Sequence, residues 1–69
     1  MKISEWQFSH AARLARLNPQ SLSTQAARLV LVNGRKQTDA AHLLGISQPA
    51  VSIACKRINE AIRLARQAI

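Results

Sequence analysis

The chain has 69 residues, enough for one domain with a small core, and its single cysteine, Cys55, excludes an internal disulfide. Ten lysines and arginines against three acidic residues give a formal net charge of +7, which favours a polyanionic partner: nucleic acid first, an acidic membrane surface second. No apolar run approaches the roughly 20 residues that span a bilayer, and the N-terminus lacks the apolar core of a secretion signal, so we expect a cytoplasmic protein with no membrane partner.

The first helix is predicted to begin after Ser4, because Ser4 and Gln7 have the spacing of a capping box. It is expected to continue to about Leu17, where Asn18-Pro19 ends it. Trp6 in its first turn is expected to be a core anchor, and stacking on a nucleobase is the less favoured alternative.

The second helix is predicted to begin at one of the hydroxyl residues of 21–24 and to end at Val32-Asn33-Gly34, a left-handed cap signal. The apolar run Leu29-Val30-Leu31-Val32 is also compatible with a strand. No other segment is a candidate to pair with it, so helix is preferred.

The third and fourth helices are predicted to meet at a sharp turn. The third covers about residues 37–44 and ends at Gly45, and the fourth starts at Gln48 with Ser47 as its N-cap and continues to the C-terminus. Ala41 is small where two helices would touch. The sequence therefore predicts an all-α, single-domain bundle of about four helices, containing a helix-turn-helix over about 37–56 and a long C-terminal helix.

In such a unit the second helix lies in the major groove of DNA and its first residues meet base edges. The residues predicted to contact bases are Ser47, Gln48, Pro49, Ser52, Ile53 and Lys56. Those predicted to contact phosphates are Arg28, Arg35, Lys36, Gln37, Thr38 and Arg57. Alternatives remain for some of them: Gln48, Lys56 and Arg57 as solvated surface residues, and Ile53 as a core residue of a rotated helix.

Catalysis and cofactor binding have little support. The acidic residues are Glu5, Asp39 and Glu60 alone, and neither His10 nor His42 has partners at the spacing of metal ligands. We expect no enzyme activity, no metal or other cofactor, and no small-molecule ligand.

The end of the fourth helix carries a heptad pattern that favours a homodimer. Its apolar residues Val51, Cys55, Ile58, Ile62, Ala65 and Ile69 step four and three alternately. The part from 58 to 69 extends beyond a small three-helix core, so it is predicted to pair with a second copy. The residues predicted at that interface are Ile58, Ala61, Ile62, Ala65 and Ile69. Folding back on the first helix remains the alternative.

Between Leu29 and Ile62 the chain reads LVLVNGRKQTDAAHLLGISQPAVSIACKRINEAI. This stretch resembles the KorA/TrfB family of plasmid transcriptional repressors, through its Val-Leu-Val-x-Gly segment, its Leu-Gly-Ile-Ser turn and its Ala-Val-Ser helix start. The resemblance implies a dimeric, helical repressor that binds palindromic operators in promoters of plasmid genes. The family's contact positions fall on Ser47, Gln48, Ile53, Lys56 and Arg57.

Two of these positions depart from the family pattern. Gln48 stands where better-known members carry an arginine, and Ile53 where they carry a glutamine, so the operator is expected to differ in sequence. Those members also have a separate C-terminal dimerisation segment. The chain reaches Ile69 without one, which gives the 58–69 seam more weight. A basic helical protein-interaction module and a non-specific architectural DNA-binding protein are the alternative functions.

Overall fold

A computed structural model describes residues 2–67, which form four α-helices and contain no strand. The helices are α1 (Glu5–Leu14), α2 (Leu22–Leu31), α3 (Gln37–Leu44) and α4 (Gln48–Gln67). The predicted all-α bundle with a long last helix is confirmed, and the run from Leu29 to Leu31 is helical. Nothing in the part of the chain that the structure describes is long and apolar enough to cross a membrane.

α1 begins at the capping box that the sequence predicts. The Gln7 amide donates to the Ser4 hydroxyl and the Ser4 amide donates to the Gln7 side chain, both at 3.0 Å. These two bonds satisfy amides that have no partner inside the helix. Ser21 plays a similar part for α2, because its hydroxyl accepts from the Thr24 amide at 3.2 Å.

The end of α1 lies three residues earlier than predicted. The helix stops at Leu14 because Arg16 takes a left-handed conformation, with φ 58°. The amide of Arg16 then donates to the Arg13 carbonyl at 3.1 Å and that of Leu17 to the Ala12 carbonyl at 3.0 Å. This is a Schellman cap, which usually has glycine at the left-handed position. The sequence has arginine there, so the pattern gave no signal.

The core is built mostly from alanine, and α4 packs against each of the other three helices. The buried apolar residues are Phe8, Ala11, Ala12, Ala26, Ala27, Leu31, Ala40, Ala41, Val51, Ala54, Cys55, Ile58 and Ala61. Small side chains let helix backbones approach closely, so the four helices can enclose a core with only a few large residues. Val51 and Ile58 are its largest fully buried side chains.

Candidate nucleic-acid interface

The turn between α3 and α4 has the geometry that the small-residue spacing predicts. Gly45 ends α3 with φ 67°, and the amides of Gly45 and Ile46 donate to the carbonyls of His42 and Ala41 at 3.3 and 3.0 Å. This is again a Schellman cap, here with the favoured glycine. Ala41 and Val51 are both buried where the two helices meet. The two helices are therefore held at a fixed angle by packing and by the turn.

The first turn of α4 presents its side chains to solvent. Ser47, Gln48 and Pro49 are exposed, and the Ser47 hydroxyl accepts from the Ala50 amide at 3.4 Å, as the predicted N-cap. Further along, Lys56 is exposed and Ser52 is half-buried. Helical periodicity puts Pro49, Ser52 and Lys56 on one side, away from the buried residues of α4. Five of the six residues predicted to contact bases thus form one accessible surface.

Ile53, the sixth, has a different environment. It is exposed, and it lines an open groove together with Leu14 of α1 and Leu64 of α4. We call this the apolar groove; its remaining lining residues are Ala15, Lys56, Arg57, Glu60, Ala61 and Ala65. The alternative that Ile53 is a core residue of a rotated helix is wrong, since 56% of its surface is exposed.

The start of α3 carries two exposed cations, Arg35 and Lys36. Its N-cap residue, Lys36, makes no side-chain capping bond, in contrast to Ser4 of α1 and Ser21 of α2. Gly34, with φ 79°, allows the Arg35 amide to reach back to the Leu29 carbonyl at 3.0 Å, which places Arg35 next to the helix start. Uncapped first-turn amides and two adjacent cations together favour an anion there.

Two further residues predicted to bind phosphate lie at this helix start. Thr38 is exposed and Gln37 is half-buried, both in the first turn of α3. Asp39, in the same turn, is exposed and carries the only negative charge of that helix. The helix dipole favours its carboxylate, as predicted, but a bound phosphate would have to approach on the side of Arg35 and Lys36.

Two predicted phosphate contacts lie outside this group. Arg28 forms an ion pair with Glu5 of α1, and its Nε donates to the Glu5 carboxylate at 3.1 Å. Arg57 is exposed on the edge of the apolar groove. Neither is adjacent in sequence to the α3 start.

The predicted dimer seam is largely covered by the chain itself. Ile58 has no exposed surface and Ala61 is buried, so a second copy would gain no apolar area from Ile58. Ile62 and Ala65 are half-buried and line a shallow groove beside Trp6 of α1. Ile69 lies outside the described residues. The first part of the seam thus folds back on the chain's own helices, the alternative that the periodicity left open.

The predicted burial of Trp6 is wrong. The side chain is 73% exposed, and its ring stacks on His10 with centroids 5.4 Å apart and planes 3° from parallel. The capping box places Trp6 in the first turn of α1, where the buried side begins only at Phe8. Sequence reasoning also missed Leu14 and Leu64, which are both 53% exposed. For Leu64 a signal existed, because it shares a helix face with Ile53 at spacing 4-3-4.

Neither the one shifted pKa nor a metal-ligand cluster is a feature of this surface in the part of the chain that the structure describes. Burial raises the pKa of the Cys55 thiol, so that group stays protonated inside the core. Among residues 2–67 no cluster of three or more histidine, cysteine or acidic side chains has the arrangement of a metal site. The surface is thus characterised by cations, hydrogen-bonding side chains and helix ends.

The match to known families agrees with this geometry. The family model described as TrfB plasmid transcriptional repressor matches residues 3–68, nearly the whole chain. No curated protein sequence matches the chain. The chain therefore belongs to the TrfB family of plasmid transcriptional repressors, a family of regulators rather than enzymes.

Proposed function

We propose that this TrfB-family repressor binds palindromic operator DNA as a homodimer, with α3 and α4 acting as a helix-turn-helix. The observation that carries the proposal is the exposed start of α4, held at a fixed angle by the Gly45 turn in a chain of net charge +7. Such a helix start is suited to the major groove, which is wide enough to admit an α-helix.

Base recognition is assigned to the side chains at the first turns of α4. Gln48 can donate to and accept from the N7 and N6 edge of adenine, and Lys56 can donate to guanine. Ser47 and Ser52 carry hydroxyls that reach either bases or phosphates, and Pro49 can offer only apolar contact. Ile53 is left out of this set, because its side chain shares the side of α4 that carries Leu64 in the apolar groove. Lys56 also lines that groove but is kept, because it lies on the side of α4 that carries Pro49 and Ser52.

Phosphate binding is assigned to the start of α3. Arg35 and Lys36 supply positive charge, while the uncapped first-turn amides and the Thr38 hydroxyl supply hydrogen bonds, with Gln37 beside them. Arg28 is omitted because Glu5 already binds it. These contacts position the protein on the duplex without reading its sequence, so they set the affinity and its salt dependence.

Repression follows from occupancy. A dimer that covers a promoter operator excludes RNA polymerase from the same DNA, with no chemical step and no cofactor. Since the operators lie on plasmid DNA, the protein acts in the bacterial cytoplasm.

The test is selection from a pool of random duplexes at physiological salt, with the bound DNA sequenced. We expect a palindrome whose half-site centres lie about 10 base pairs apart. Tight, salt-sensitive binding without enrichment would instead indicate an architectural protein. Absence of binding would leave a protein-interaction module.

A matched pair of variants then tests whether Gln48 contacts a base. Gln48→Ala is expected to cost about 1–3 kcal/mol at one base position in each half-site and to relax the preference there. Gln25→Ala removes the same side chain from an exposed position of α2 and should leave the selected sequence unchanged. An unaltered preference in Gln48→Ala would mean that another face of the protein reads the DNA.

A further inference from the structure

One face of α4 carries an exposed stripe that is complementary in charge to its own reverse order. Its members are Ile53, Arg57, Glu60 and Leu64, spaced four, three and four residues apart. The order is apolar, cation, anion, apolar. We call it the α4 stripe; it forms one wall of the apolar groove, and Leu14 of α1 lies beside it.

The α4 stripe is unusual for a small basic protein. Among residues 2–67, six large apolar side chains remain exposed, and three of them, Leu14, Ile53 and Leu64, line this single groove. Single exposed apolar residues need no explanation, but grouped ones rimmed by charges mark interaction surfaces. The anion at its centre is also notable, because Glu60 is one of only three acidic residues in the chain.

We infer that the α4 stripe is the contact between two copies of the chain, with the two α4 helices packed antiparallel about a twofold axis. In that arrangement Ile53 of each copy meets Leu64 of the other, and Arg57 meets Glu60. A twofold interface must be complementary to itself, and this order of residues satisfies that requirement. A parallel arrangement would instead place Arg57 against Arg57.

The ion pairs within one chain leave Arg57 and Glu60 able to pair with a second copy. Glu60 accepts from Arg63 at 2.5 Å in the same helix, with both side chains about half exposed. Arg57 forms no ion pair within the described residues. In the dimer the Glu60 carboxylate would lie between Arg63 of its own chain and the second copy's Arg57. Pairs of this kind contribute mainly to orientation and partner choice, while the apolar ends supply most of the affinity.

The same arrangement sets the distance between the starts of the two α4 helices, which contact bases in the proposed function; this step rests on that proposal. The axis would pass midway between positions 57 and 60. Gln48 lies about 16 Å from that point along the helix at 1.5 Å per residue, so the two copies of Gln48 would be separated by about 32 Å. Successive major-groove half-sites on one face of DNA are about 34 Å apart.

The side of α4 assigned to DNA and the side assigned to the second copy are different, so both contacts can form at once. Ser52 and Lys56 lie about a quarter of a turn around the helix from the α4 stripe, as follows from roughly 100° per residue. A partner on the stripe therefore leaves Ser52 accessible, and Lys56, which also lines the apolar groove, lies at the edge of the contact. The partner covers Ile53, in agreement with the omission of that residue from the base readers.

The first experiment is sedimentation equilibrium of the whole chain without DNA, from about 1 to 500 µM, which brackets a micromolar Kd. We expect a reversible monomer–dimer equilibrium. Leu64→Glu should stay monomeric over the range, whereas Leu22→Glu, the same change at an exposed position of α2, should dimerise normally. A circular dichroism spectrum like that of the unchanged chain would establish that Leu64→Glu is folded.

A charge exchange tests the orientation. Arg57→Glu and Glu60→Arg each place like charges opposite each other, so each alone is expected to self-associate at least tenfold more weakly. Mixed in equal amounts, the two variants restore both pairs and should form a heterodimer. The Arg57→Glu/Glu60→Arg double variant should also self-associate.

The inference is overturned if the unchanged chain stays monomeric both free and on selected DNA, or if Leu64→Glu dimerises normally. Single charge variants that associate as the unchanged chain does, or a mixture that does not, would also overturn it. These outcomes are separate from those of the proposed function: a dimer that follows the stripe but selects no DNA sequence would refute operator reading alone. Conversely, a monomeric Leu64→Glu variant that still prefers one half-site would support both.

Discussion

Removing the two cations at the start of α3 should reduce the salt dependence of DNA binding without affecting the fold. Arg35 and Lys36 are both exposed, and neither side chain forms a hydrogen bond or an ion pair within the described residues. Substitution by alanine therefore breaks no hydrogen bond or ion pair among the described residues. If each cation neutralises one phosphate, its loss removes one condensed counterion from the binding equilibrium.

The size of the effect follows from that count. Each phosphate contact contributes about 0.9 to the slope of log K against log salt concentration, so raising the salt from about 50 to 200 mM weakens binding about 3.5-fold per contact. Arg35→Ala should thus reduce the slope by about one, and the Arg35→Ala/Lys36→Ala variant by about two. The double variant should lose about 12-fold less affinity over that interval than the unchanged chain. The loss should be the same for operator and for unrelated DNA, since phosphate contacts carry no sequence information.

Fluorescence anisotropy titrations on an operator duplex and a scrambled duplex, each at four or more salt concentrations, would measure these slopes. Arg13→Ala is the matched control, because it removes an equal charge from an exposed position of α1, a helix that does not pack on α3. The reasoning would fail if the control changed the slope as much as Arg35→Ala does. It would also fail if Arg35→Ala reduced affinity for the operator alone.

Three further predictions concern stability. Arg16→Gly should raise the free energy of unfolding by about 1 kcal/mol, since it removes about 1–2 kcal/mol of left-handed strain and adds up to about 1 kcal/mol of unfolded-state entropy. Gly45→Ala should lower the free energy of unfolding by a similar amount through backbone strain alone, because no atom lies within 4 Å of the added Cβ. Thermal denaturation would measure both variants. A lower Tm for Arg16→Gly than for the unchanged chain would contradict the argument. Burial raises the pKa of the Cys55 thiol above its ordinary value of 9.0, so the folded chain holds that proton more tightly than the unfolded chain does. The free energy of unfolding should therefore be unaffected by this group below about pH 9 and should fall as the pH rises above it. Urea unfolding at a series of pH values, with Cys55→Ala as control, would test this, and an equal fall in the control would assign the effect to other groups.

Local chemistry explains why much of this protein was predictable from sequence. Ser4 and Ser21 accept from amides near the start of their helices, and Gly45 takes a left-handed conformation at the end of α3. Each depends on neighbours within about six residues, so the pattern of residues is sufficient. Arg16 shows the limit of this reasoning: the same cap forms with a residue that carries no signal for it.

The heptad pattern of α4 illustrates a different limit. Periodicity indicates that Ile58 and Ile62 share an apolar face, but it cannot say which neighbour covers that face. In the structure the chain's own helices bury Ile58 completely and leave Ile62 half-buried. The apolar area that this face could offer to a second copy is therefore reduced.

Local spacing, composition and charge were sufficient to predict the helical class, the turn at Gly45, the family and the basic character of the surface. The identity of the apolar residues that stay in solvent emerged from the packing of the helices alone. In the packed structure Leu14, Ile53 and Leu64 line one groove between α1 and α4, and the Trp6 side chain is exposed. Such placements depend on contacts between residues far apart in the chain. A local pattern can group Ile53 and Leu64 on one helix face, but whether that face is buried is a property of the packed helices and not of any one of them.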